Sequence, residues 1–256
     1  MRHQAYFIDL DGTLYHGTKA IPEAIDFMRE LEKEGIPYLY VTNNSTKTPE
    51  QVAKHLKQLG FPAETNKVYT SAMATAAYLQ EEMAAPDVYV IGEYGLEQAV
   101  QEAGCRIVQQ EAQAVVVGLD RDFHYDKLSI AVKAIRAGAK YIGTNADRVL
   151  PTESGIFPGS GSINKAVEWA TGVEPLFIGK PEPIILRYAA KRLEVDLAEV
   201  LMIGDNMDTD ILAGVKSGME TLLVLTGVTD QAALERYQIQ PTYVVKSLSD
   251  WQFTSK

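Results

Sequence analysis

Cysteine is nearly absent from this 256-residue chain, histidine is scarce, and no apolar run reaches membrane-spanning length. A lone Cys105 cannot close an intrachain disulfide, and no second Cys or His stands near it at metal-ligand spacing. Disulfide scaffolds and thiolate zinc sites are thereby excluded, and a reducing, cytoplasmic setting is expected. The apolar runs at 114–117 and 221–225 fall far short of the roughly 18 residues that a spanning helix requires. The opening MRHQAYFIDLDGT turns acidic before the long apolar core of a secretory signal develops. Positive charge is also in deficit. A formal net charge of -10 repels phosphate backbones and anionic headgroups, so neither a nucleic acid polymer nor a membrane is expected as a partner.

What is present is an ordinary globular composition, 46% apolar and 23% charged, so a sizeable core can form without staples. The length suits one large domain or two modest ones. Four stretches, 5–11, 37–44, 176–180 and 200–210, each carry a short β-prone apolar run that ends in polar residues and gives way to a helical pattern. Runs without alternation read as strands buried on both faces, and helices between them imply parallel βαβ units. Helix signals are explicit. Ile21-Pro22-Glu23 opens a periodic run through Ala24, Phe27, Met28 and Leu31 that Gly35 closes, and Thr48-Pro49-Glu50 opens another ending near Gly60. Between 85 and 175 the pattern repeats, with strands expected at 87–91, 114–117 and 141–144. The expected fold class is α/β: a doubly wound parallel-sheet core of residues 1–80 and 179–256, interrupted by a smaller inserted α/β domain at 81–178. Pro86 and the segment 171–175 are the expected crossover points.

Ligands of open parallel sheets bind outside the carboxyl ends of the strands. That rule draws Asp9 with Asp11, Thr42 with Asn43 and Asn44, Lys180, and Asp205 with Asp210 toward one crevice. Two like charges about 4 Å apart cost on the order of 4 kcal/mol at an effective dielectric of 20, so such a cluster needs cations. Lys180 supplies one. An oxygen-liganded hard metal supplies more, and Mg²⁺ suits a few carboxylates acting together with phosphate oxygens.

Asp9-Leu10-Asp11-Gly12-Thr13-Leu14 resembles the DxDGT signature of haloacid dehalogenase-type phosphatases, and the later segments resemble that family's other motifs in order. VTNNS at 41–45, YTSAMATA at 69–76, TNAD at 144–147 and GDNMDTDILAG at 204–214 are similar to its NagD-like, p-nitrophenyl phosphatase-type branch, whose inserted cap is an α/β domain. The resemblance implies that Asp9 attacks phosphorus and forms an aspartyl-phosphate while Asp11 serves as general acid and then base. It implies Mg²⁺ held by the carboxylates of Asp9 and Asp205 and by the Asp11 backbone carbonyl. Thr42, Asn43, Asn44 and Lys180 would bind the phosphoryl oxygens, with Asn206 and Asp210 in support. A flap would begin near 14–17. In the inserted domain, Asn145 and Asp147 read as a turn after the 141–144 strand, and the resemblance turns them toward substrate.

The implied substrate is a small phosphorylated metabolite, a sugar phosphate or nucleoside monophosphate among others. Two other readings stand beside hydrolysis: a phosphotransferase or phosphomutase using the same aspartyl-phosphate, and a non-catalytic phosphometabolite-binding protein. Self-association through the inserted domain is physically easy. His3, His55 and His124 read as surface or loop residues, and His16 closely follows the first motif. Gly159-Ser160-Gly161 lacks the third glycine of a dinucleotide loop and reads as a turn into a helix from Asn164.

Overall fold

The computed structural model describes residues 3–152 and 154–253. The chain forms two compact units, one of residues 1–42, 50–69 and 180–256 and the other of 43–49 and 70–179. Among the described residues, the first unit is built on a six-stranded sheet. Its spatial order is Val68–Thr70, Tyr38–Thr42, Ala5–Ile8, Val200–Gly204, Glu220–Val224, Tyr243–Val245. Numbered along the chain this is 3-2-1-4-5-6, the doubly wound order whose direction reverses between the first and fourth strands. Ala5–Ile8 runs parallel to both Tyr38–Thr42 and Val200–Gly204. Every residue of Ala5–Ile8 and Val200–Gly204 is buried, as strands covered by helices on both faces must be.

The helix Pro22–Lys33 shows how the sequence builds these layers. Pro22 occupies its first turn, Glu23 faces the positive helix end, and Gly35 takes φ +65° just past the close. Ala24, Phe27, Met28 and Leu31 form its buried stripe and join Tyr6, Ile8, Tyr40 and Ile203 in one apolar cluster. Burying each large side chain of that stripe contributes about 1.5–3 kcal/mol. Leu31→Ala would empty the centre of this layer.

The second unit holds a five-stranded parallel sheet, among the described residues ordered Arg106–Ile107, Asp87–Ile91, Ala114–Val117, Lys140–Gly143, Leu176–Phe177. Along its own chain that order is 2-1-3-4-5, with the switch between Asp87–Ile91 and Ala114–Val117.

Several expectations are amended. Leu176–Phe177, read as a core strand leading to Lys180 although it falls inside the 81–178 bounds expected for the inserted domain, pairs with Ile142 and Gly143 and so closes the edge of the second sheet. The remaining places in the first sheet go to Val68–Thr70, Glu220–Val224 and Tyr243–Val245. The limit expected at residue 80 falls inside the helix Ser71–Met83, and 43–49 pack with the second unit. The helix expected from Asn164 starts at Ser160, and in its first turn the Gly161 N–H, which has no acceptor within the helix, donates to Asp147 O at 2.8 Å. The hairpin Tyr15–His16/Lys19–Ala20 stands where a flap was expected. His3 is buried, with Nε2 2.7 Å from Glu220 Oε2. Cys105 is free and buried. No helix among the described residues is long and apolar enough to cross a membrane.

Candidate active site

Asp9 leaves the first strand with its N–H on Ile203 O at 2.9 Å, which seats it at the point where strand order reverses. Asp205 follows the fourth strand directly and is almost completely buried. Its carboxylate accepts from Val228 N at 2.6 Å and Thr13 Oγ1 at 3.2 Å. Gly12 makes this approach feasible. Its φ is +87°, and a Cβ there would stand 2.6 Å from Asp205 Cγ.

Asp210 sits in a π-helical turn, Met207–Ile211, that continues into the helix Leu212–Lys216. Asn206 N donates to Asp210 Oδ2 at 3.2 Å, while the Asn206 side chain accepts from Asp208 N at 2.9 Å and so caps the turn. Lys180 is 2% exposed, and its Nζ lies 2.6 Å from Asp9 Oδ1 and 2.7 Å from Asp210 Oδ1. It also donates to Val41 O at 3.0 Å. Lysine is rarely buried unless paired, and here two carboxylates and a carbonyl supply the partners.

Carboxylate oxygens of Asp9, Asp205 and Asp210 lie within 4.8 Å of one another. Burial and the field of Asp210 push the Asp9 carboxyl well above the usual carboxylate range, with Lys180 opposing. Asp205 is pushed up to about 6 by burial and then by Asp210, against the hydrogen bonds from Val228 and Thr13. Burial works against the Lys180 charge, but Asp210 and Asp9 outweigh it and hold the ammonium above the usual lysine range. One ammonium against three carboxylates leaves excess negative charge in a site built of oxygen donors. A hard divalent cation fits that donor set.

Asp11 is exposed at the start of the Tyr15–His16/Lys19–Ala20 hairpin, outside that trio. Neighbouring atoms strip part of the water from its carboxyl and raise its pKa, while the Gly17 and Gly12 backbone and the fields of His16 and His55 oppose. Thr42 ends the Tyr38–Thr42 strand and is buried.

Asn43 and Asn44 pack with the second unit. There Asn43 Nδ2 donates to both oxygens of Asp147 at 3.1 and 3.2 Å, and Asn145 Nδ2 donates to Asn43 O at 2.8 Å. Asn44 Oδ1 accepts from Thr46 N at 2.9 Å and Lys47 N at 3.0 Å, a turn-type contact that shapes its own loop.

Sequence reasoning missed the segment after Glu220–Val224. Val228 N holds Asp205, Thr226 Oγ1 donates to Gly12 O at 2.8 Å, and Thr229 Oγ1 accepts from Met207 N at 3.1 Å. The signal was available: 221–225 is an apolar run followed by polar TGVTD, so the rule that flagged the other strand ends applied here too.

Comparison with known proteins gives a consistent picture. A family model described as haloacid dehalogenase-like hydrolase matches residues 6–106, and a HAD-hydrolase-like model matches 177–251. The 5'-nucleotidase YutF of Bacillus subtilis is 47% identical over 249 residues, 97% of this chain and 97% of that protein. An acid sugar phosphatase of Staphylococcus aureus is 47% identical over 250 residues, 97% of this chain and 96% of its own length. Among solved structures, a double mutant of a thermostable NPPase from Geobacillus stearothermophilus superposes with a TM-score of 0.94 at 49% identity, covering 99% of this chain and 100% of that one. NagD from E. coli K-12 superposes with a TM-score of 0.94 at 31% identity over 99% and 100%.

Proposed function

The chain belongs to the haloacid dehalogenase-like hydrolase family, in its NagD-like branch, and is a phosphatase; from that premise we propose that it hydrolyses small phosphorylated metabolites through an aspartyl-phosphate on Asp9. One observation carries the proposal: the carboxylates of Asp9, Asp205 and Asp210 cluster at the switch point of the sheet, and the buried Lys180 ammonium pairs with two of them, Asp9 and Asp210. A carboxylate held at the strand end beside an ammonium is placed to act as a nucleophile toward phosphorus, with the ammonium countering charge on the transferring phosphoryl group.

Asp9 Oδ attacks phosphorus and the ester P–O bond breaks, with Asp11 giving its proton to the departing alkoxide. Its raised pKa favours the protonated form that this step needs. Asp11, now ionised, takes a proton from water as that water attacks the phosphorus of the aspartyl-phosphate. Inorganic phosphate leaves, and Asp9 is restored. Lys180, the Thr42 hydroxyl and the Asn43 N–H hold the phosphoryl oxygens, and Asp210 orients Lys180. Asp9, Asp205 and the Asp11 backbone carbonyl would hold Mg²⁺. When bound, the ion supplies positive charge against the phosphoryl oxygens and lowers the repulsion between Asp9 and a phosphate dianion.

Relatives of equal identity are named for a nucleotide and for sugar phosphates, which supports a small phosphometabolite as substrate and leaves its choice to the inserted unit. The experiment is hydrolysis of p-nitrophenyl phosphate with and without Mg²⁺, beside a radiolabelled phosphoester quenched in acid. Wild type should need the metal, lose activity to a chelator and carry label that Asp9→Asn lacks. An Asp9→Asn enzyme that turns over at the wild-type rate would sink the proposal. A panel of phosphorylated metabolites then names the substrate.

A further inference from the structure

The residues around Asn43 form a polar cluster that the proposed chemistry does not use directly. Both Asp147 oxygens lie within hydrogen-bond distance of the Asn43 amide nitrogen, and Asn43 O receives Asn145 Nδ2 at 2.8 Å and Ser71 Oγ at 2.6 Å. Asn43 is therefore held at its side chain and at its carbonyl. Asp147 is itself held. Its N–H donates to Asn145 Oδ1 at 3.1 Å, its carbonyl accepts from Gly161 N at 2.8 Å, and the next carbonyl, Arg148 O, accepts from Gly159 N at 3.0 Å and Ser162 Oγ at 2.7 Å. Gly179 closes the cluster: a Cβ there would stand 2.6 Å from Asn43 Oδ1 and 2.7 Å from Thr144 O.

Thr42 precedes Asn43 and Lys180 follows Gly179, so two proposed phosphoryl-binding residues each stand one peptide bond from this cluster. We propose that Asp147 is a positioning residue for phosphoryl transfer, acting through the Asn43 side chain and not by touching the substrate. The inference rests on the phosphatase reading above. A carboxylate aimed at the substrate would repel a phosphate dianion; a carboxylate gripping the Asn43 amide instead fixes the residue whose N–H binds the phosphoryl group.

The test is steady-state kinetics of Asp147→Ala, Asn43→Ala and the double variant on three phosphoesters of different leaving group, with inorganic phosphate as competitive inhibitor. Losing a charge-assisted hydrogen bond should cost Asp147→Ala about tenfold in kcat/KM. The factor should be the same for all three esters, and the inhibition constant for phosphate should rise in step. On the Asn43→Ala background the Asp147 change should add less than about twofold, because the two act as one unit. Asp147→Asn keeps one acceptor oxygen and should recover part of the loss, which also serves if the alanine variant folds poorly.

A loss that depends on the leaving group would make Asp147 a substrate contact and overturn the inference. Losses that multiply in the double variant, or wild-type kinetics in Asp147→Ala, would overturn it too. These outcomes are read in an active wild type. An inactive wild type, or activity that survives Asp9→Asn, strikes the phosphatase reading instead.

Discussion

The two parallel sheets obey the same topological rule and fill its crevice differently. In the first unit the switch point lies between Ala5–Ile8 and Val200–Gly204, the residues just beyond it are Asp9 and Asp205, and Lys180 pairs there with Asp9 and Asp210. In the second it lies between Asp87–Ile91 and Ala114–Val117, and the chain's own 43–49 segment packs there. Gly95 N, at the start of the helix Tyr94–Glu102, donates to Thr46 O at 3.0 Å, and the buried Ser45 Oγ would stand 2.9 Å from a Cβ on Gly118. Topology places a crevice in both sheets. Side chains decide whether it holds charge for a ligand or seats a loop.

Variants can break that contrast, beginning with the largest effects. Asp9→Asn should lower kcat by about 10⁴-fold or more, as loss of a nucleophile does. Lys180→Met should cut kcat/KM by about 10³-fold and, by leaving buried carboxylates without their cation, cost about 3–5 kcal/mol in a denaturant titration. Near-normal kcat/KM in Lys180→Met would remove that ammonium from the site. Gly12→Ala must strain a positive φ and push Asp205 aside. A fall of about 10²-fold in kcat with about 1–3 kcal/mol of stability lost is expected.

On the other sheet, Gly95→Ala would set a Cβ 2.6 Å from the Lys47 carbonyl carbon. It should cost about 1–3 kcal/mol by overpacking while kcat falls less than tenfold. If Gly95→Ala instead abolished turnover as thoroughly as Asp9→Asn, the second crevice would be more than a seat.

The smallest expected effect lies at the start of the Glu220–Val224 strand, the end of the first sheet opposite its crevice. Glu220 is held below its usual 4.5 chiefly by the hydrogen bond from His3, with Tyr243 adding to it. A depressed carboxyl pKa contributes stability that is present above the unfolded value and lost as pH falls through the folded one. Glu220→Gln should flatten that acid-side decline and cost less than about 1 kcal/mol at neutral pH, since the carboxylate is partly exposed. Melting curves from pH 3 to 7 measure it, and an unchanged acid slope would disconnect Glu220 from acid stability.

Much of this was legible in the linear chain. Asp9, Lys180 and Asp205 each follow an apolar run, Asp210 lies in the turn just after one, and the strand-end rule draws such residues together. Leu176–Phe177 was read as a core strand even though it lay within the bounds of the inserted domain, because a two-residue apolar strand carries no mark of which sheet it will pair with. Asn145 and Asp147 read as turn residues because their partner, Asn43, lies a hundred positions away. His3 gave no sign of burial, since the neighbours that cover it, Tyr6, Tyr243 and Trp251, are scattered along the chain.

Local chemistry thus dictated what could be dictated locally: where strands end in acid, where proline and glycine open and close helices, and that a charge-rich crevice would need a cation. Which sheet each strand joined, and which side chain held which, came from long-range pairing. Hydrogen bonds and buried charges are satisfied only by specific partners at specific distances, and those partners meet only when the chain has folded.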